Sequence, residues 1–135
     1  MFLLDTMVVS EPTKKRSSPK VLTWLSQQSS LDLFLSTVTL GEVVYGIERL
    51  PPGPERSRLQ VWRDQLFVQP GAPILLPVDE LVSVAWGRLR ASLPRTLPII
   101  DSLVAATAMA HSLTIVTRNV RDFAALGVPV LNPWA

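Results

Sequence analysis

Residues 99–117 have the sequence IIDSLVAATAMAHSLTIVT. The run from Leu103 to Ala110 is apolar nearly all round and predicts a helix, beginning at about Asp101, that is buried on most sides. Residues 113–117 are a β-rich run with no alternation of polar and apolar side chains, which is typical of a parallel strand covered on both faces. Asp101 and His111 interrupt the apolar run, so a buried helix followed by a buried strand explains it better than a membrane span.

The rest of the chain alternates between strand-like and helix-like segments in the same way. Apolar runs of strand length lie at residues 2–4, 33–37, 74–76 and 128–131. Helical spacing of apolar residues predicts helices at residues 20–28, 40–47 with Thr39 as N-cap, from Pro54, and from Asp79 to Pro94. Strands separated by helices predict one domain, residues 1–135, built as an α/β sandwich around a mainly parallel sheet.

The composition excludes several classes of protein. Hydrophobic residues make up 47% of the chain and charged residues 18%, which excludes intrinsic disorder. With no cysteine and one histidine, the chain lacks disulfides, thiolate nucleophiles and Cys/His zinc sites, so a bound metal depends mainly on oxygen ligands. The N-terminus lacks the pattern of a signal peptide, so we expect a cytoplasmic protein with no membrane segment. A net charge of +2 is compatible with a polyanionic partner without requiring one.

Acidic residues occur close to the predicted ends of the strands. Asp5 ends the first strand, Glu42 lies one turn into the helix after the second, and Asp122 follows Asn119 after the strand at 113–117. Ligands of open parallel sheets bind beyond the carboxyl ends of the strands, and Asp101 joins this group if its helix starts at the same edge. Each acid also has a structural interpretation, such as an N-cap for Asp101 or compensation of a helix dipole for Asp122.

The combination of these acids favours a metal site over four separate structural roles. Ionised carboxylates about 4 Å apart repel each other by roughly 4 kcal/mol at an effective dielectric of 20. A divalent cation relieves that repulsion, and oxygen ligands favour Mg²⁺ or Mn²⁺ over zinc. Such a site suits hydrolysis of a phosphodiester. Gly41 and Gly46 flank Glu42 in a predicted helix, so we also expect a close approach to the backbone there.

Four segments in this order resemble the acidic motifs of PIN-domain ribonucleases. They are LLDT at 3–6, STVTLGE at 36–42, IIDSLVAATA at 99–108 and VTRNVRDF at 116–123, and the ending LNPW at 131–134 is similar as well. Within that family the chain is most similar to the VapC and FitB group of bacterial toxin–antitoxin proteins. The resemblance implies an α/β/α sandwich and an endoribonuclease that depends on Mg²⁺ or Mn²⁺. It assigns the metal to Asp5, Glu42 and Asp101, with Asp122 or Asn119 completing the site.

The resemblance extends to residues around the acids, with one departure. Thr6 and Thr117 match hydroxyl positions beside the metal site. Met7 stands where the family usually has asparagine, so a side-chain amide is not available to orient Asp5 and activity is expected to be reduced. Arg118 and Arg121 lie beside the predicted site and are expected to contact RNA phosphates.

The expected partners are an RNA substrate, a second copy of the chain and a small antitoxin encoded separately. The high apolar content favours a covered surface, and a carboxylate cluster attracts a guanidinium from a partner. Two other functions remain open at this point. One is a PIN-like module that binds RNA without cleaving it, and the other is a receiver-like domain with Asp5 as the phosphorylated residue.

Overall fold

A computed structural model describes all 135 residues and contains one sheet of five parallel strands. The strands are β1 (Phe2–Leu4), β2 (Leu33–Ser36), β3 (Ile74–Leu76), β4 (Thr114–Val116) and β5 (Val130–Leu131). Their order across the sheet is β3-β2-β1-β4-β5, so the first strand of the chain lies at its centre. Every neighbouring pair is parallel, which confirms the predicted sheet.

Seven α-helices connect the strands and cover both faces of the sheet. They are α1 (Thr6–Ser10), α2 (Pro19–Ser26), α3 (Thr37–Glu48), α4 (Pro54–Gln65), α5 (Glu80–Ser92), α6 (Ile99–His111) and α7 (Val120–Ala124). Two short 3₁₀ turns lie at Glu11–Thr13 and Ser30–Asp32. None of the helices combines the length and the apolar character that a membrane crossing requires.

The hydrophobic core has two parts, one on each side of the sheet. Successive strand residues point to opposite faces, so Leu3 packs in one cluster and Leu4 in the other. Leu3 shares its cluster with residues of α5, α6 and α7, whereas Leu4 shares its cluster with residues of α1, α2 and α3. Both side chains are at most 2% exposed. Burial on both sides explains why these strands show no alternation in sequence, and it gives the α/β/α architecture that was expected.

Two helices begin two or three residues earlier than their sequence pattern predicts. The N-cap of α3 is Ser36, whose hydroxyl accepts a hydrogen bond from the Val38 N–H at 3.1 Å, whereas Thr39 is 1% exposed inside the helix. The prediction of Thr39 was wrong because β2 passes directly into α3, and the hydroxyl of the last strand residue, Ser36, is the cap. Helix α6 begins at Ile99, with the Ser102 N–H already bonded to the Pro98 carbonyl at 3.0 Å.

The C-terminal end of α6 has a backbone conformation that non-glycine residues adopt rarely. Ser112 ends the helix with φ of 54°, in the left-handed region, and its N–H bonds back to the Met109 carbonyl. This reversal turns the chain so that Leu113 enters the core and β4 starts at the next residue. The helix and strand of the 99–117 segment are therefore joined by two residues, the exposed Ser112 and the buried Leu113.

Candidate active site

Asp5 lies at the carboxyl end of the central strand and also caps the first helix. Its N–H donates to the Val116 carbonyl at 3.0 Å, which extends the pairing of β1 with β4 by one residue. One carboxylate oxygen, Oδ1, accepts a hydrogen bond from the Thr6 N–H at 2.8 Å. The other oxygen, Oδ2, accepts a hydrogen bond from the Thr117 hydroxyl at 2.7 Å. Both oxygens of this half-buried side chain therefore have a donor within the chain.

Thr117 orients Asp5 by donating the single hydrogen of its hydroxyl to the carboxylate. The side chain is fully buried at the end of β4, and its Oγ1 accepts a hydrogen bond from the Asn119 N–H at 3.0 Å. Because that contact occupies an acceptor position and a hydroxyl carries a single hydrogen, the hydrogen is directed to Asp5. A bond to an ionised acceptor is stronger than a neutral one, so Thr117 is a firm support for the carboxylate.

Asn119 and Asp122, the two candidates for the fourth position of the site, are joined to each other by a hydrogen bond. The Asn119 Nδ2 donates to Asp122 Oδ2 at 3.1 Å, and Asp122 lies in the first turn of α7 with its side chain exposed. Asp122 and Asp101 line the same small cavity of about 80 Å³, together with Arg95, Leu97, Pro98 and Leu126. The amide of Asn119 therefore orients the carboxylate that faces Asp101 across this cavity.

Asp101 is the acid whose pKa is influenced by the charges of the three other predicted acids. It occupies the third position of α6 and is half-buried, so it is not the N-cap of that helix. Burial raises its pKa, and the negative charges of Asp5, Asp122 and Glu42 raise it further. The three other predicted acids are thus close enough to Asp101 to influence its ionisation. No three acidic or histidine side chains of the chain are arranged closely enough to hold an ion between them in this structure.

Comparison with known proteins identifies the family of this chain. The model of the family described as PIN domain matches residues 2–128. The chain belongs to the PIN-domain family. Among curated proteins, this PIN domain is similar to Toxin FitB of Neisseria gonorrhoeae (34% identical, 99% of both chains) and to VapC ribonuclease Y4jK of Sinorhizobium fredii (33% identical, 99% of this chain and 98% of the relative).

Solved structures of the same group have the same fold. The crystal structure of FitAcB from Neisseria gonorrhoeae superposes with a TM-score of 0.88 at 34% sequence identity and covers 99% of both chains. The DNA-bound VapBC of Salmonella typhimurium gives a TM-score of 0.80 at 23% identity, covering 99% of this chain and 98% of that chain, which shows the fold. These findings confirm the resemblance to the VapC and FitB group and leave the receiver-like interpretation without support.

Glu42 lies in the PIN domain's third helix, and no other part of the chain packs against the glycines beside it. The side chain of Glu42 is half-buried in α3, while Gly41 and Gly46 are exposed on the same helix. A Cβ atom at either glycine would meet nothing within 4 Å, so no part of the chain approaches the backbone there. Both glycines face solvent, so an approach by a molecule other than this chain stays a prediction.

Met7 does not leave the first acid of the PIN domain without support. Its side chain is 37% exposed, and the two donors that orient Asp5 come from Thr6 and Thr117 instead. The amide that is missing at position 7 is therefore not needed to fix the carboxylate. The predicted loss of activity stays a prediction for measurement.

Basic side chains lie next to this group of acids. Arg118 and Arg121 are exposed and form no ion pair within the chain. The guanidinium of Arg118 lies over the ring of Trp134, 5.0 Å from its centroid. Their exposure and free charge are compatible with the predicted phosphate contacts.

Sequence reasoning did not single out Glu11, although its side chain is buried beside Arg118. Glu11 is 3% exposed, whereas the other glutamates of the chain are half-buried or exposed. It follows the buried residue Val8 by three positions, on a short helix that continues into a 3₁₀ turn. That spacing is the signal in the sequence that could have indicated its burial.

Proposed function

We propose that this PIN domain is the toxin of a toxin–antitoxin pair and acts as an endoribonuclease that depends on Mg²⁺ or Mn²⁺. The observation that carries the proposal is the grouping of carboxylates at one edge of the sheet, where Asp101 and Asp122 line the same cavity. The charges of Asp5, Asp122 and Glu42 add to the effect of burial in raising the pKa of Asp101. Repulsion between carboxylates destabilises the folded chain, so a purely structural role does not explain their grouping. The similarity to proteins named Toxin FitB and VapC ribonuclease supports the same activity.

The donor set of the proposed metal site fits a hard divalent cation. Asp5, Glu42, Asp101 and Asp122 would hold the ion, and all four supply carboxylate oxygens, which Mg²⁺ and Mn²⁺ prefer. When bound, the cation supplies an acidified water and neutralises charge that develops on the phosphate. Burial and the repulsion of the neighbouring acids both raise the pKa of Asp101, and a cation would relieve the repulsion.

The residues around the acids have separate tasks in the proposed reaction. Thr6 and Thr117 fix both oxygens of Asp5, and Asn119 fixes Asp122, so two of the four carboxylates are oriented before substrate arrives. Arg118 and Arg121 bind phosphates of the RNA backbone and place the scissile bond beside the acids.

The proposed partners are a homodimer mate and an antitoxin, both in the cytoplasm. Structures of similar toxins are complexes named FitAcB and VapBC, which supports an antitoxin that covers the acidic edge. An apolar groove of about 520 Å³ between α5 and α6 is lined by exposed side chains, among them Leu81, Val84 and Met109. Exposed apolar surface of this kind supports a dimer contact.

Cleavage of single-stranded RNA by the purified chain tests the function. We expect cleavage with Mg²⁺ or Mn²⁺, none with EDTA, and loss of cleavage in Asp5→Ala and Asp101→Ala while both variants stay folded. Asp64→Ala is the matched control because Asp64 is an exposed aspartate on α4. An Asp101→Ala protein with the wild-type rate would contradict the assignment of the site. RNA binding without cleavage under every metal condition would favour the binding-only module instead.

A further inference from the structure

The buried carboxylate of Glu11 ties both ends of a short basic loop, Lys14–Ser18. Its Oε1 accepts a hydrogen bond from the Ser18 N–H at 3.0 Å, at the point where α2 begins. Its Oε2 lies 3.0 Å from the Lys14 ammonium and has no well-directed hydrogen bond, so it depends on that charge. The carbonyl of Glu11 also accepts hydrogen bonds from the Lys14 N–H at 3.1 Å and the Ser17 hydroxyl at 2.9 Å.

Glu11 also lies within the electrostatic influence of Arg118. Burial by itself would raise the pKa of Glu11, but the Ser18 hydrogen bond and the positive charges of Lys14 and Arg118 outweigh it and lower the pKa. Arg118 is in turn placed over the ring of Trp134. The carboxylate of Glu11 therefore contacts the Lys14–Ser18 loop directly and is influenced by the charge of Arg118.

Three cations near Glu11 form no ion pair with an acidic side chain of the chain. Lys15, Arg16 and Arg118 are all exposed, and none of them forms an ion pair within the chain. Burying a carboxylate costs free energy, and the ion pair with Lys14 compensates that cost only where the contacts are well formed. The buried carboxylate of Glu11 therefore fixes a loop whose other cations, Lys15 and Arg16, remain free to bind an anionic ligand.

We propose that Glu11 is a positioning residue for RNA binding, because it anchors the Lys14–Ser18 loop so that the free cations of this loop, together with Arg118 over the ring of Trp134, bind the RNA backbone beside the acidic site. The inference rests on the proposed function, since it names the residues that align the substrate of the same site. The ligand is a polyanionic phosphodiester backbone, and the contacts are independent of base sequence.

The direction in which one substitution changes the RNA affinity distinguishes a positioning role from a general electrostatic effect. Glu11→Gln keeps the size of the side chain and an oxygen that can accept from Ser18, but it removes a negative charge close to the proposed RNA path. General electrostatics predicts tighter RNA binding, because the variant is more positive. Positioning predicts weaker binding, because Lys14 loses its partner and the loop loses its anchor.

Glu55→Gln is the matched control for the same charge change. Glu55 is exposed at the start of α4; the hydrogen bond from Arg58 lowers its pKa, and the charge of Lys15 lowers it further. Its removal leaves the contacts of Glu11 in place. We therefore expect Glu55→Gln to bind RNA as tightly as wild type or more tightly.

The experiment measures the affinity of each full-length variant for a fluorescent single-stranded RNA by anisotropy, in EDTA and over a series of salt concentrations. We expect about fivefold weaker binding for Glu11→Gln and a salt slope that is smaller by about 0.7 for each RNA phosphate that the variant no longer neutralises. Equal or tighter binding by Glu11→Gln, as for Glu55→Gln, would overturn the inference and leave the proposed function standing. Absence of RNA binding and cleavage by the wild-type chain would instead overturn the proposed function.

A second pair of variants tests the part of the inference that concerns Arg118, and it does not depend on the folding of Glu11→Gln. Trp134→Leu removes the ring beneath Arg118, whereas Trp134→Phe keeps an aromatic face for the guanidinium. We expect weaker RNA binding for the leucine variant and near wild-type binding for the phenylalanine variant. Equal RNA binding by both, or a loss confined to binding of a co-expressed antitoxin, would assign these cations to another task and overturn the proposal.

Discussion

Replacing Thr117 with valine removes the hydroxyl that orients Asp5 and little else. The valine side chain has nearly the shape of threonine, so the buried site at the end of β4 gains no cavity. Asp5 Oδ2 loses its donor at 2.7 Å, and the Asn119 N–H loses its acceptor at 3.0 Å. Oδ1 keeps the Thr6 N–H, so Asp5 stays in place but is free to rotate about that hydrogen bond.

The hydrogen bonds that this substitution removes set the size of the expected effects. A hydrogen bond to a charged group contributes about 1.5–3 kcal/mol to stability, and we expect Thr117→Val to unfold more easily by about that amount. Loss of a residue that orients a metal ligand typically lowers metal affinity or activity about 10–100-fold. The cleavage rate of Thr117→Val should fall by this factor, and the Mg²⁺ concentration for half-maximal cleavage should rise.

Three measurements decide the matter: chemical denaturation, RNA cleavage at saturating metal, and a Mg²⁺ titration of cleavage. Thr117→Ser is the control, because it keeps the hydroxyl and should retain cleavage within a few-fold of wild type. In an Asp5→Asn background, Thr117→Val should cause little further loss, since the two residues act through one hydrogen bond. A Thr117→Val protein with wild-type cleavage and metal dependence would refute the claim that this hydroxyl orients Asp5.

Three further outcomes follow from single residues. Burial and neighbouring acids raise the pKa of Asp101, so protonation of this carboxyl favours the native state. The free energy of unfolding should therefore fall as the pH rises above the pKa that Asp101 has in the unfolded chain. Asp101→Asn should raise the melting temperature at neutral pH without metal, and the gain should shrink on acidification. Phe123 is 1% exposed in the cluster with Leu3, so Phe123→Ala should lower the unfolding free energy by about 3–5 kcal/mol in a urea titration. Ser112 has φ of 54°, so Ser112→Gly should raise stability by about 0.5–1 kcal/mol in the same assay, and a decrease would contradict the strain assigned to that turn.

Features that depend on local pattern could be predicted from the sequence. The unalternating apolar run around Leu3 and Leu4 indicated a strand buried on both faces, and the structure places one of these side chains on each side of the sheet. Pro54 was expected at the first position of a helix and begins α4. The position of the acids near strand ends was likewise visible from the chain order alone.

Features that depend on distant partners could not be predicted in the same way. Three hydroxyl residues, Ser36, Thr37 and Thr39, were eligible to cap α3, and only the exit angle of β2 decides among them. The donor to Asp5 Oδ2 is 112 residues away, which no local periodicity reveals. The burial of Glu11 depends on Ser18, seven residues later, across a loop whose path the composition does not fix.

The central position of β1 has a consequence for how the protein is made. A ribosome synthesises this strand first, yet β1 pairs with β2 on one side and with β4 on the other, and Leu4 meets its neighbour Val116 only near the end of translation. Until residue 117 has emerged, Asp5 also lacks its hydroxyl donor. A nascent or prematurely terminated chain therefore carries the acidic residues without the assembled site, and the proposed nuclease site forms only once synthesis of the chain is nearly finished.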